Sequence, residues 1–139
     1  MLNIKRLSQQ DAMKMIDGAE AKSSEIGVPM CIAVTDESGN LIAFSRMDGA
    51  KVLSVSLSQD KAFSAAVSRR GTHEYNKLCQ PGSLAFGIHT SAGGRFTVVG
   101  GGLPVFDGDE VIGGIGCSSG TAEEDRECAQ AGIDTLKVE

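Results

Sequence analysis

The stretch from Leu103 to Cys117 constrains this chain more than any other. Two apolar runs, Leu103 to Phe106 and Val111 to Cys117, are joined by Asp107-Gly108-Asp109-Glu110, a composition that reverses chain direction. A β-hairpin is therefore expected. Gly113, Gly114 and Gly116 interrupt its second strand. Glycine inside a strand weakens pairing and offers no side chain to pack, so a helix or a ligand backbone is expected to approach closely there.

A second hairpin is expected earlier in the chain. Met30 to Thr35 is a compact apolar run, the pattern of a strand covered on both faces. Asp36-Glu37-Ser38-Gly39-Asn40 reads as a turn, Leu41 to Arg46 as the returning strand, and Asp48-Gly49 closes the unit. Phe96-Thr97-Val98-Val99 is a candidate for one further strand.

Helices surround the hairpins. Ser8 with Asp11 three residues on resembles a capping box, and Ala12, Met15, Ile16, Ala19, Ser23 and Ile26 fall on one helical face. Gly27 and Pro29 stop that helix, placing it over residues 8 to 26. A second helix is expected over residues 52 to 69, with Val52, Val55, Ala62, Phe63, Ala66 and Val67 inward. Its Ser-rich first half is poor in helix formers, so tertiary contacts must hold it. A short helix over His73 to Leu78 ends before Pro81-Gly82, and residues 83 to 95 read as irregular. Thr121 with Glu124 caps the final helix.

Hairpins separated by helices imply an α+β fold with a largely antiparallel sheet and helices on its faces. At 139 residues without a linker or composition break, the chain is expected to form one domain, residues 1 to 139. Aromatic content is only 4%, so its core must be packed from Ala, Val, Ile, Leu and Met.

Composition excludes several classes of partner. The net charge is −5, and the one adjacent basic pair, Arg69-Arg70, suits a helix C-terminus better than nucleic acid. No apolar run approaches the roughly 20 residues of a membrane span. The chain opens Met-Leu-Asn-Ile-Lys without a secretory pattern, so the cytoplasm is the expected compartment. Cys31, Cys79, Cys117 and Cys128 form no Cys-x-x-Cys pair, which argues against structural zinc and a thioredoxin-like motif. Cys31 and Cys117 sit in strand patterns, where a free cysteine acts as a small hydrophobe.

Few residues point to chemistry. Gly100-Gly101-Gly102-Leu103-Pro104 could aim backbone N–H groups at a ligand, though a tight strand entry explains the glycines more simply. Cys117-Ser118-Ser119-Gly120-Thr121 could receive an anion or hold a nucleophile. Helix capping is the preferred account, because Glu123, Glu124 and Asp125 already complement the helix dipole. His73 and His89, the two histidines, could ligate haem iron or a cobalt corrinoid, or act as a base. Arg46, Asp48, Lys61 and Arg95 flank the expected sheet edges and could bind carboxylates or propionates, with plain surface ion pairs the simpler reading.

Several segments together resemble the GlcG/HbpS-like family, which includes the C-terminal domain of PduO-type corrinoid adenosyltransferases. They are Ile32-Ala-Val-Thr-Asp-Glu-Ser-Gly-Asn-Leu-Ile-Ala-Phe-Ser-Arg-Met-Asp-Gly-Ala50, Lys61-Ala62, Gly101-Gly-Leu-Pro104, Val111-Ile-Gly-Gly-Ile-Gly116 and Cys128-Ala-Gln-Ala-Gly132. The resemblance implies a profilin-like α-β-α sandwich with a central antiparallel sheet that self-associates into dimers or higher homo-oligomers. It implies a haem or corrinoid cofactor, and partners among the enzymes of diol, glycerol or glycolate utilisation. The Met-, Gly- and Arg-lined space near Arg95 to Pro104 would suit a large macrocycle with acidic tails. His89, His73, Arg95, Gly101, Gly102, Pro104 and Arg46 are accordingly the cofactor-binding candidates, with no catalytic residue and no metal assigned. The expected function is a non-enzymatic accessory role. The alternatives are an enzyme acting on a hydroxy acid or aldehyde, and an assembly or chaperone-like module for a larger enzyme.

Overall fold

A computed structural model describes residues 1–137. The elements run α1 (Gln9–Ile26), β1 (Cys31–Asp36), β2 (Leu41–Arg46), α2 (Ser54–Ser68), α3 (Thr72–Leu78), β3 (Gly102–Asp107), β4 (Glu110–Ser118) and α4 (Ala122–Asp134). Single 3-10 turns lie at Ile88–Thr90, Ala92–Gly94 and Thr135–Lys137. Both hairpins form as expected. They join side by side through β1 and β4, giving one antiparallel sheet in the order β2-β1-β4-β3. The fold is α+β.

Local chemistry sets the helix ends. The Ser8 Oγ accepts the Asp11 N–H while Asp11 accepts the Ser8 N–H, completing the expected capping box. Gly27 ends α1 in the left-handed region, where a side chain would be strained. Thr121 and Glu124 make the same reciprocal pair at α4.

The two faces of the sheet are packed differently. Ile32, Val34, Ile115 and Cys117 belong to a core cluster with Met15, Ile16 and Ala19 of α1 and Cys128 and Ala129 of α4. The opposite face carries Ala33, Thr35, Gly114 and Gly116, and α2 lies against it. Here the approach is close enough to exclude side chains. A Cβ on Gly116 would overlap the Ser58 carbonyl oxygen and lie 2.6 Å from the Ala62 nitrogen. The backbone that Gly114 and Gly116 were expected to admit is therefore that of α2, whereas Gly113 on the other face meets the Leu7 side chain.

This close packing keeps Ala62 and Ala66 on the inner face of α2, as expected, and corrects the rest of that face. Ser54, Ser58, Lys61, Ala62, Ala65 and Ala66 are buried, whereas Val52 and Val67 are 74% and 42% exposed. Against the glycines of β4 the small Ser58, Ala62 and Ala66 fit, while Val67 turns outward and Val52 lies before the helix begins. The expected strand over 96 to 99 also does not form. Phe96 packs edge-on against Tyr75, and the Thr97 N–H is satisfied by the Ser64 Oγ at 2.9 Å rather than by a neighbouring strand.

Candidate functional site

A cleft of about 650 Å³ lies beside edge strand β3. It is walled by His73 of α3, Leu103 of β3, Lys22 of α1, and Glu123, Arg126 and Gln130 of α4. Gly71 precedes α3, and its N–H is held by Glu74 at 3.0 Å, which fixes the first turn. His73 is consequently seated half-buried, and its Nδ1 is fully buried with no hydrogen-bond partner among the described residues. Burial depresses the pKa of the imidazole, nearby Arg126 depresses it further, and Glu74 opposes them. The ring is thus held neutral at pH 7. Lys22 bridges Glu25 and Glu127, each at 3.3 Å, on the cleft's far side.

His89 lies elsewhere, exposed in the 3-10 turn Ile88–Thr90. Its Nδ1 is 3.1 Å from the Cys79 Sγ, and its ring is tilted against Phe86 at 6.3 Å. Arg95 spreads over the Phe63 ring at 4.0 Å and pairs with Asp60 at 3.5 Å. Pro104 sits in β3 opposite Gly114, as suits an edge strand that can spare an N–H. Arg46 ends β2 opposite Cys31, on the edge strand at the other side of the sheet. Within one chain, then, the structure joins His73 to the Gly100 to Leu103 stretch but leaves His89 and Arg46 outside that cleft.

Gly101 and Gly102 pack around a polar centre that sequence reasoning placed at the surface. Lys61 is wholly buried, and its Nζ donates to the Asp125 Oδ2 at 2.8 Å and the Cys117 carbonyl at 2.9 Å. This corrects the expected edge position. A Cβ on Gly101, whose φ is +125°, would lie 2.7 Å from the Asp125 Cβ and 2.8 Å from the Lys61 Nζ. The Gly102 N–H is taken by the Thr72 Oγ1 at 3.0 Å. A smaller cleft of about 140 Å³ opens over the pair, between the start of α2 and the β4–α4 turn.

Sequence reasoning also missed Arg126 and Lys22. The outward face of α4, with Glu123, Arg126, Glu127 and Gln130 at three- and four-residue spacing, reads as ordinary solvated helix surface. Among the described residues, no group of three or more His, Cys, Asp or Glu could hold a metal ion. No helix is long and apolar enough to cross a membrane.

A four-stranded antiparallel sheet layered between helices, with a cleft beside its edge strand, defines an α+β sandwich. The chain belongs to the family of haem-degrading HbpS-like proteins, whose model matches residues 7–134. It is 42% identical over 123 residues to an uncharacterised 15.0 kDa protein of Citrobacter freundii from the dhaT–dhaS intergenic region, covering 88% of this chain and 87% of that one. The crystal structure of Klebsiella pneumoniae ORFY superposes with a TM-score of 0.97 at 35% identity, over 100% of this chain and 96% of that one. The crystal structure of a PduOC–haem complex superposes with a TM-score of 0.89 at 29% identity, over 94% of each chain.

Proposed function

We propose that this chain is a non-enzymatic haem-binding accessory protein of diol, glycerol or glycolate utilisation, working in the cytoplasm as a homo-oligomer. The observation that carries this reading is His73, a neutral imidazole in the 650 Å³ cleft whose Nδ1 has no hydrogen-bond partner among the described residues. The solved PduOC–haem complex supports it, because that fold spans nearly all of this chain. The dhaT–dhaS setting of the Citrobacter freundii relative supports the metabolic assignment.

The residues present suit the group. A neutral histidine is a ligand for haem iron, and the nitrogen left for it is Nε2, since Nδ1 is buried. Arg126 supplies a cation for a propionate, Lys22 being already paired with Glu25 and Glu127, and Leu103 and Ala131 offer apolar contact to the ring. When bound, haem would supply iron redox chemistry, while His73 would hold it and the α4 side chains would orient its acidic edge. A corrinoid, the other macrocycle the family resemblance brings, would meet the same histidine.

Titration of the apo protein with hemin tests this reading. A saturable Soret shift is expected, abolished or moved by His73→Ala and retained in His89→Ala. An unsaturable shift in the unmodified protein would remove the proposal, and loss in His89→Ala alone would move the ligand to the Cys79–His89 loop.

A further inference from the structure

The polar centre beneath the smaller cleft has no part in the haem reading. Lys61 and Asp125 are a buried ion pair, with side chains 1% and 3% exposed. Burying two charges in a domain of this size costs more than filling the same space with apolar groups, so such a pair invites a reason beyond stability. Both carboxylate oxygens of Asp125 are occupied, Oδ2 by Lys61 and Oδ1 by the Gly120 N–H at 2.9 Å. Lys61 uses two of its three N–H donors, on Asp125 and on the Cys117 carbonyl, and it lines the cleft.

Around that ammonium the cleft is built from matched parts. Ser54 and Ser118 are 2% and 3% exposed and both line it. Neither hydroxyl is hydrogen-bonded within the described residues, so each is left for an occupant. Lys51 stands at the rim, and Leu53, Leu57 and Val99 form an apolar wall. The rim is pinned in place: the Lys51 N–H donates to the Ser119 Oγ at 2.7 Å, and Ser119 has φ +135°. A non-glycine residue held in that region marks a conformation that its surroundings impose.

Charge and size select the occupant. Two ammonium groups against one carboxylate leave the cleft with a net positive charge, which favours a monoanion. About 140 Å³, at roughly 30 Å³ per water, holds about five non-hydrogen atoms. Two free hydroxyls and one ammonium N–H would satisfy a carboxylate with an adjacent oxygen, while the apolar wall takes a short carbon chain. We infer that this cleft, formed by Lys61, Ser54, Ser118 and Lys51, binds a small monocarboxylate bearing a neighbouring hydroxyl or carbonyl oxygen. Its residues are not those of the His73 cleft, so it stands or falls independently of haem.

Saturation-transfer NMR on the intact protein tests the inference, using glycolate, acetate and propane-1,2-diol as probes. Saturable transfer to glycolate is expected, with weaker binding of acetate and none of the uncharged diol. Ser54→Ala and Ser118→Ala should each keep the melting temperature and weaken glycolate about tenfold or more, as expected when a site built for a hydroxyl loses its partner. His73→Ala should leave glycolate binding unchanged. No transfer to glycolate, equal binding of the diol, or unaltered affinity in both serine variants would overturn the assignment.

Discussion

The Lys61 ammonium and the Asp125 carboxylate meet at 2.8 Å although 64 positions separate them in the chain. The contact ties the middle of α2, on one face of the sheet, to the first turn of α4, on the other. Removing the cation alone would leave a buried carboxylate without its partner, a loss of about 3–5 kcal/mol. Lys61→Met is therefore expected to lower stability by that amount in urea unfolding. The double variant Lys61→Met/Asp125→Asn should lose less than the sum of the single variants, because the orphaned charge is gone.

Gly116 faces α2 with no room for a methyl group, since its Cβ would overlap the Ser58 carbonyl and crowd the Ala62 nitrogen. Both obstacles are backbone atoms, so rotamer changes cannot relieve them. Gly116→Ala should cost about 1–3 kcal/mol or more of stability. Gly114→Ala, aimed at the Ala62 carbonyl, should behave alike in the same unfolding assay.

Thiol reactivity should separate the cysteines. Burial raises the thiol pKa of Cys31, holds that of Cys117 well above its ordinary value, and pushes that of Cys128 up to about 11. Of the four free cysteines, only Cys79 is not buried. At pH 8 the folded protein should react promptly with a disulfide reagent at Cys79 alone, and in urea at all four. Prompt labelling of Cys117 in the folded state would contradict the packing described.

Burial and Arg126 together hold the His73 pKa below its ordinary value. An unfolded histidine titrates near 6.5, so between that pH and the lower folded value the unfolded chain binds more protons. The contribution of His73 is full above about pH 6.5 and is lost as pH falls through the folded pKa. Unfolding measured from pH 7.5 to 5 should show this decline, and His73→Gln should remove its share of the slope. The His73 ring proton should titrate below 6.5 by NMR.

How far the residues alone reveal this molecule depends on how local each cause is. Ser8 with Asp11 and Thr121 with Glu124 announce their helices because each cap is complete within four residues. The turn at Gly108 announces its hairpin for the same reason. The inner face of α2 is not legible in that way. Periodicity favours its valines, and only the glycines of β4, some fifty positions away, decide that serine, alanine and lysine go inside. Lys61 reads as an edge cation until Asp125 is brought under it. His73 stands out in the sequence as a candidate ligand, but its half-buried place does not, since that depends on where β3 and α4 meet.

The seam between β1 and β4 has a consequence for how the chain reaches this state. Each hairpin closes within a short stretch, but the register from Cys31 opposite Ser118 to Asp36 opposite Gly113 joins segments far apart in sequence. Closing so long a loop costs entropy before the new contacts repay it. The rate of folding should accordingly be set where the two hairpins meet, with β1 beside β4, rather than within either. Substitutions along that line would slow arrival at the native state, whereas changes at the outer edges, β2 and β3, would chiefly hasten departure from it.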